Sequence, residues 1–394
     1  MFLSDRVMSV EPSATVAIST KAMQLQKQGL DIISLSAGEP DFNITPHIAE
    51  AMIKAIHEGK TKYTELDGTP ELRAAIANKL QEDNQLIYKT DEILVSVGAK
   101  HSLYNLFQAL LNPGDEVIIL APYWVSYPAM TKLAGATPVI LSPLDGLKVT
   151  ADQIEQAISP KTKLLVLNSP SNPSGEISTR EELIEIAKVL AKHPNIWITT
   201  DDIYEKIQWS SQEFINILNV SQDLNLDLAK RAVLINGVSK SHAMTGLRIG
   251  YAAGPKSIIK AMSKIQGQST SNPCSIAQAG ALAALTGSQE HIPVMVKAYK
   301  ERQEFLLKKL NQIPGFYFAG TQGAFYAFVD VRGALENLNI KDDVLLCEYL
   351  LEKALVAGVP GTAFGMPGFI RFSFAIDIQT LEKACDRLHR ALAG

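Results

Sequence analysis

Apolar and polar residues alternate along this chain in two distinct rhythms. Residues 15–30 repeat apolar positions at helical spacing and predict an amphipathic helix. A short apolar run, Asp31–Leu35, then ends in the polar loop Ser36-Ala37-Gly38-Glu39-Pro40-Asp41. From about 47 to 285, helical patterns alternate with short β-rich runs at Ile93–Val97, Glu116–Leu120, Pro138–Leu141, Leu164–Asn168, Ile196–Thr200, Ala232–Ile235 and Ile249–Ala252. Such alternation predicts an α/β fold with a largely parallel sheet covered by helices on both faces. Beyond about 288 the rhythm changes. Glu290–Gln312 reads as one long helix, Ala324–Val329 and Phe369–Phe374 as strands, and Thr380–Leu392 as a final helix. The expected organisation is a large domain over 47–287 and a smaller α+β domain over 288–394, joined by the N-terminal segment 1–46.

Length agrees with two domains, since 394 residues exceed one ordinary core. Charged residues make up 20% and the net charge is −4, so neither nucleic acid nor an anionic membrane is an expected partner. No apolar run approaches the roughly 18 residues of a membrane span, and Met1–Val10 has no signal-peptide core. Cys274, Cys347 and Cys385 are odd in number and far apart, which suggests reduced thiols packed as small apolar groups in a cytoplasmic protein. The triplets at Asn43 and Asn219 that resemble glycosylation sites read as chance matches.

Open α/β sheets bind ligands beyond the carboxyl ends of their strands. Here polar loops follow strand after strand: Gly98-Ala99-Lys100, Tyr123-Trp124, Asn168 to Pro173, Asp201 to Tyr204, and Ser239-Lys240. The pattern predicts one crevice where these loops meet. Other chemistries lack their signatures. Gly59-Lys60-Thr61 resembles the end of a phosphate-binding loop, but Lys54 stands where its first glycine belongs. There is no GxGxxG after a strand, no HExxH metal spacing and no GxSxG elbow, and no metal is expected.

The stretch Ser239-Lys240-Ser241-His242-Ala243-Met244-Thr245-Gly246-Leu247-Arg248-Ile249-Gly250 is the most informative. It resembles the cofactor-lysine signature of the class I and II aminotransferases. The phrases SAGEPDF, KTKYTELDGTPELR, APYWVSYP, NSPSNPSG and GAFY extend the likeness over nearly the whole chain, toward the bacterial aspartate and aspartate/prephenate aminotransferases. The resemblance implies a fold-type-I transferase dependent on pyridoxal 5′-phosphate, with a mixed, mostly parallel seven-stranded sheet and a second, smaller α+β domain.

It also implies roles. Lys240 would form the Schiff base to the cofactor and then serve as the base, which requires a lowered pKa. Asp201 would hold the proton on the ring nitrogen, and Tyr204 and Asn172 would donate to the ring oxygen. Gly98, Ala99, Ser239 and Arg248 would cradle the phosphate, Trp124 would stack on the ring, and Tyr63 would reach the phosphate of a neighbouring subunit in a homodimer with shared sites. Arg371 and Gly38 would grip the substrate α-carboxylate, with Lys100 and Thr15 at its distal carboxylate. Each has a plainer alternative: Asp201 or Asp202 as a turn or helix cap, Asn172 as a turn residue, Tyr63 and Trp124 as packed aromatics, Lys100 as a solvated helix-start residue, Arg371 as partner to a structural carboxylate.

Several positions depart from the usual pattern: Gly237 replaces a serine, Leu247 a tryptophan, Asp202 a glutamate and His101 a glutamine, and Ile44 lengthens its loop. No catalytic group is lost. The expected activity is transfer of the amino group of aspartate to 2-oxoglutarate. Alternatives are a transaminase for prephenate, aromatic amino acids or alanine, a lyase or synthase on the same fold, and a non-enzymatic regulator.

Overall fold

The computed structural model describes residues 3–393. In chain order, β1 is Ile33–Ser34, β2 Ile93–Ser96, β3 Glu116–Leu120, β4 Thr137–Leu141, β5 Thr162–Asn168, β6 Trp197–Asp201, β7 Ala232–Gly237 and β8 Gly250–Ala253. Then come β9 (Tyr326–Asp330), β10 (Val356–Ala357), β11 (Val359–Pro360) and β12 (Phe369–Ser373). Strands β2 to β8 form a seven-stranded sheet in the order β2-β8-β7-β6-β5-β3-β4. The pairs among β7, β6, β5, β3 and β4 are parallel, and β8 runs antiparallel to both its neighbours.

Burial on both faces explains why these strands read as apolar runs. Successive side chains of a strand point to opposite sides. Leu165 and Leu167 therefore join one apolar cluster with Ile93, Val95, Ile198 and Leu234. Leu164 and Val166 join another with Leu94, Val233 and Ile235. Truncating such a residue to alanine costs about 2–5 kcal/mol.

A third cluster lies mainly in the C-terminal part of the chain. It contains Ile33 and Leu35, the long helix His291–Leu310, β9, β12 and the last helix Ile378–Leu392. Strands β11, β12 and β9 form an antiparallel sheet, and β1 pairs in parallel with β10. Tyr204 and Ile207 reach into this cluster from beyond the end of β6.

Several local expectations need correction. The strand expected from Ala324 begins at Tyr326, because Ala324 has a left-handed backbone (φ 55°) that cannot continue a strand. Asp202 does not cap a turn or helix with its side chain: it is fully buried and accepts hydrogen bonds from Thr200 Oγ1 and from Asn216 Nδ2 (2.9 Å). Cys347 and Cys385 are buried as expected, but Cys274 is exposed.

Candidate active site

One cavity of about 570 Å³ opens beyond the carboxyl ends of the parallel strands. Each of the five polar loops contributes to it, through Ala99 and Lys100, Trp124, Asn168 and Asn172, Asp201 and Tyr204, and Ser239 and Lys240. Register explains the meeting: Asn168 at the end of β5 lies beside Asp201 at the end of β6, which lies beside Ile235 of β7.

Lys240 sits on the excursion between β7 and β8. Its Nζ donates to the Gly38 carbonyl and lies 5.7 Å from the Tyr204 ring and 5.9 Å from that of Phe325. Burial, helped by the nearby Arg371, lowers its pKa to about 8. This is an amine that spends part of its time neutral near physiological pH.

Asp201 faces the same cavity. Its Oδ2 accepts a 2.7 Å hydrogen bond from Tyr127, while Oδ1 is buried without a partner. Burial raises its pKa to about 6, against the opposing bond from Tyr127. An unpartnered buried carboxylate oxygen is costly, and a cationic N–H donor placed there would satisfy it.

Arg371 projects from β12 and is 2% exposed, which for a guanidinium demands an account. No carboxylate meets it among the described residues. Its Nη1 donates to Asn172 Oδ1 and its Nη2 to the Ser36 carbonyl, each at 2.8 Å, while Nε has no partner. The rings of Tyr326 and Phe364 lie 4.4 and 4.9 Å from its central carbon. The structural ion pair considered above is therefore absent. Asn172 is likewise more than a turn residue, since its Oδ1 accepts from Arg371.

The helix Ala99–Leu110 begins at the cavity, and its first N–H groups have no intrahelical acceptor. Gly98, at φ 83°, brings that start against Arg248: a Cβ there would lie 2.3 Å from Arg248 Nη2. Arg248 Nη1 donates to the Thr245 carbonyl (2.7 Å). Lys100 Nζ stands 4.9 Å over the Trp124 ring, and burial lowers its pKa. Thr15, Gly38 and Ser239 also line the cavity. Tyr63 does not: it is 90% exposed, so it is not a packed aromatic either.

Three contributors escaped the sequence reading. Tyr127 touches Asp201, Tyr326 shares a 2.6 Å hydrogen bond with Tyr204, and Ser36 holds Arg371. The phrases APYWVSYP and GAFY contained both tyrosines. A buried phenol needs a polar partner, which was the available signal.

A seven-stranded, mostly parallel sheet with a buried lysine beyond its strand ends is the arrangement of the fold-type-I transferases. The family profile "Aminotransferase class I and II" matches residues 30–388. The aspartate/prephenate aminotransferase of Nitrosomonas europaea is 49% identical, over 100% of both chains. The solved aspartate aminotransferase of Rhizobium meliloti superimposes with a TM-score of 0.95 at 41% identity, covering 100% of this chain and 99% of that one. That of Thermus thermophilus, solved with maleate, gives 0.93 at 41% identity, over 99% and 100%. The chain belongs to the class I and II aminotransferases.

Proposed function

We propose that this transaminase is an aspartate aminotransferase working with pyridoxal 5′-phosphate. L-Aspartate gives up its amino group and leaves as oxaloacetate. 2-Oxoglutarate then accepts that group and leaves as L-glutamate. One observation carries the reading. The cavity presents Lys100, Lys240, Arg248 and Arg371 against only Glu39 and Asp201, in a chain of net charge −4. Such a cationic interior suits a phosphate together with a dicarboxylate substrate. The name of the Nitrosomonas europaea relative supports prephenate as a second acceptor.

The residues fit the cofactor. Asp201 Oδ1 is free to take an N–H from the ring. Tyr204, and Asn172 through its Nδ2, offer donors to the ring oxygen, and Trp124 offers a face. The first turn of the helix Ala99–Leu110, with Ser239 and Arg248, would take the phosphate. When bound, the cofactor supplies an electron-withdrawing ring that carries the amino group between the two substrates.

The chain's own groups do the rest. Arg371 binds the substrate α-carboxylate as a fork, aided by the Gly38 N–H, while Lys100 and Thr15 receive the distal carboxylate. Lys240 Nζ, as the neutral amine, would take the proton from the substrate Cα and hold it as an ammonium. Largely distinct apolar clusters, bridged by Tyr204 and Ile207, support a large unit over 47–287 and a small one over 1–46 and 288–394, whose closure would exclude water. The exposed Tyr63 supports a homodimer with shared sites, and free thiols support a cytoplasmic location.

The test is absorption spectroscopy with added pyridoxal phosphate. Wild type should gain a visible band that L-aspartate shifts and 2-oxoglutarate restores, and Lys240→Ala should show no such cycle. A band indifferent to aspartate would move the assignment to another amino donor.

A further inference from the structure

The loop Ser36–Phe42 carries two of the groups placed around the substrate carboxylate. Ser36 O accepts from Arg371 Nη2 at 2.8 Å, and Gly38 O accepts from Lys240 Nζ. Backbone contacts fix only the start of this loop, where Ser373 N donates to Leu35 O (2.7 Å). Its far end is held by a side chain. Asp41 receives Arg302 as a fork, Nη1 to Oδ1 at 2.8 Å and Nη2 to Oδ2 at 2.9 Å.

Arg302 stands on the long helix His291–Leu310 and is well covered, its side chain 13% exposed. Its guanidinium carbon lies 5.8 Å from the Phe42 ring and 5.4 Å from that of Tyr299. Tyr299 Oη adds a long contact of 3.4 Å to the same Asp41 oxygen. Arg302 Nη1 also donates to the carbonyl of Phe374 (3.3 Å), the residue that follows β12. One guanidinium thus joins the loop of Gly38 to the end of the strand that bears Arg371.

We propose that Arg302 is a positioning residue. Through Asp41 and Phe374 O it fixes the Gly38 loop relative to Arg371, and so sets the width of the carboxylate grip. The physical reason is geometric. A planar fork resting against two mutually packed rings constrains both distance and angle, which a single flexible ammonium does not. Small displacements of a binding group are expensive: a misplacement of about 1 Å can cost on the order of a hundredfold.

This inference rests on the aminotransferase reading of Arg371 and Gly38, and the experiment separates the two. Maleate, a dicarboxylate without an amino group, is titrated into the cofactor-loaded wild type and into Arg302→Gln, Arg302→Lys and Asp41→Asn. Kinetics with aspartate and thermal unfolding are measured in parallel. Arg302→Gln should weaken maleate binding and raise KM by about tenfold or more, with kcat within about threefold. Arg302→Lys should recover part of the loss. Asp41→Asn should reproduce it, and the double variant Arg302→Gln/Asp41→Asn should be little worse than either single one, because both act through one contact. Maleate affinity unchanged within about twofold in Asp41→Asn and Arg302→Gln, with only the melting temperature lowered, would overturn the proposal. Failure of wild type itself to bind maleate would instead overturn the substrate reading. Should Arg302→Gln not fold, Asp41→Asn carries the decision alone.

Discussion

Lys240 is held for chemistry at a cost to folding. Its pKa falls from 10.5 to about 8 in the folded chain. Between those values the native state binds fewer protons than the unfolded state, so stability should rise as pH rises through that window. At pH 7 the penalty is fully present. Lys240→Met in the cofactor-free protein should therefore be more stable than wild type, by about 2–3 kcal/mol at most, and should lose the upward slope between pH 8 and 10.5. Chemical denaturation at pH 7 and pH 10 checks both. Arg371 makes the opposite case. Arg371→Lys keeps the charge but replaces two separated nitrogens, one on Asn172 and one on Ser36, by a single point donor without a fork, and kcat/KM for aspartate should fall by on the order of a hundredfold. The residues of the lysine stretch could be read from sequence because they lie in one segment with fixed spacing. Tyr127 with Asp201, and Arg302 with Asp41, acquire their roles only through contacts between distant segments, which no spacing reveals.

At the scale of elements, strand centres were legible and strand ends only in part: β3 spans Glu116–Leu120 as expected, whereas β9 does not start where expected. Burial on both faces makes β3 and β5 continuous apolar runs. Ends depend on single backbone angles, such as the left-handed Ala324 ahead of β9. Strands β1, β10 and β11 have two residues each, too few for any periodicity to show. The role of Asp202 was hidden for a related reason: besides the neighbouring Thr200, its carboxylate is met by Asn216 from another segment. The start of the helix Ala99–Leu110 gives a sharper prediction. Gly98→Ala forces a side chain into positive φ and against Arg248. It should destabilise the protein by about 1–2 kcal/mol and weaken pyridoxal-phosphate binding at least about tenfold, read by spectral titration.

The whole molecule is expected to work in pairs. If Tyr63 completes the partner's site, Lys240→Ala and Tyr63→Ala are each impaired alone but complementary when mixed. A hybrid then has one site with both defects and one with neither. Half of the dimers in an equal mixture are hybrids, so activity should recover to about a quarter of wild type. No recovery after unfolding and refolding together would place Tyr63 outside the site.

The reversal of β8 has a mechanical consequence at this scale. Because β7 and β8 run in opposite directions, the chain leaves the sheet and returns to it at the same end. The single excursion between them carries both Lys240 and Arg248. Its throat is formed by Gly237 opposite Gly250, where a Cβ on Gly237 would lie 2.9 Å from the Cα of Gly250. Two naked backbones set the gauge of that throat. The two ends of the excursion, from which Lys240 and Arg248 project, are thereby anchored on paired sheet backbone.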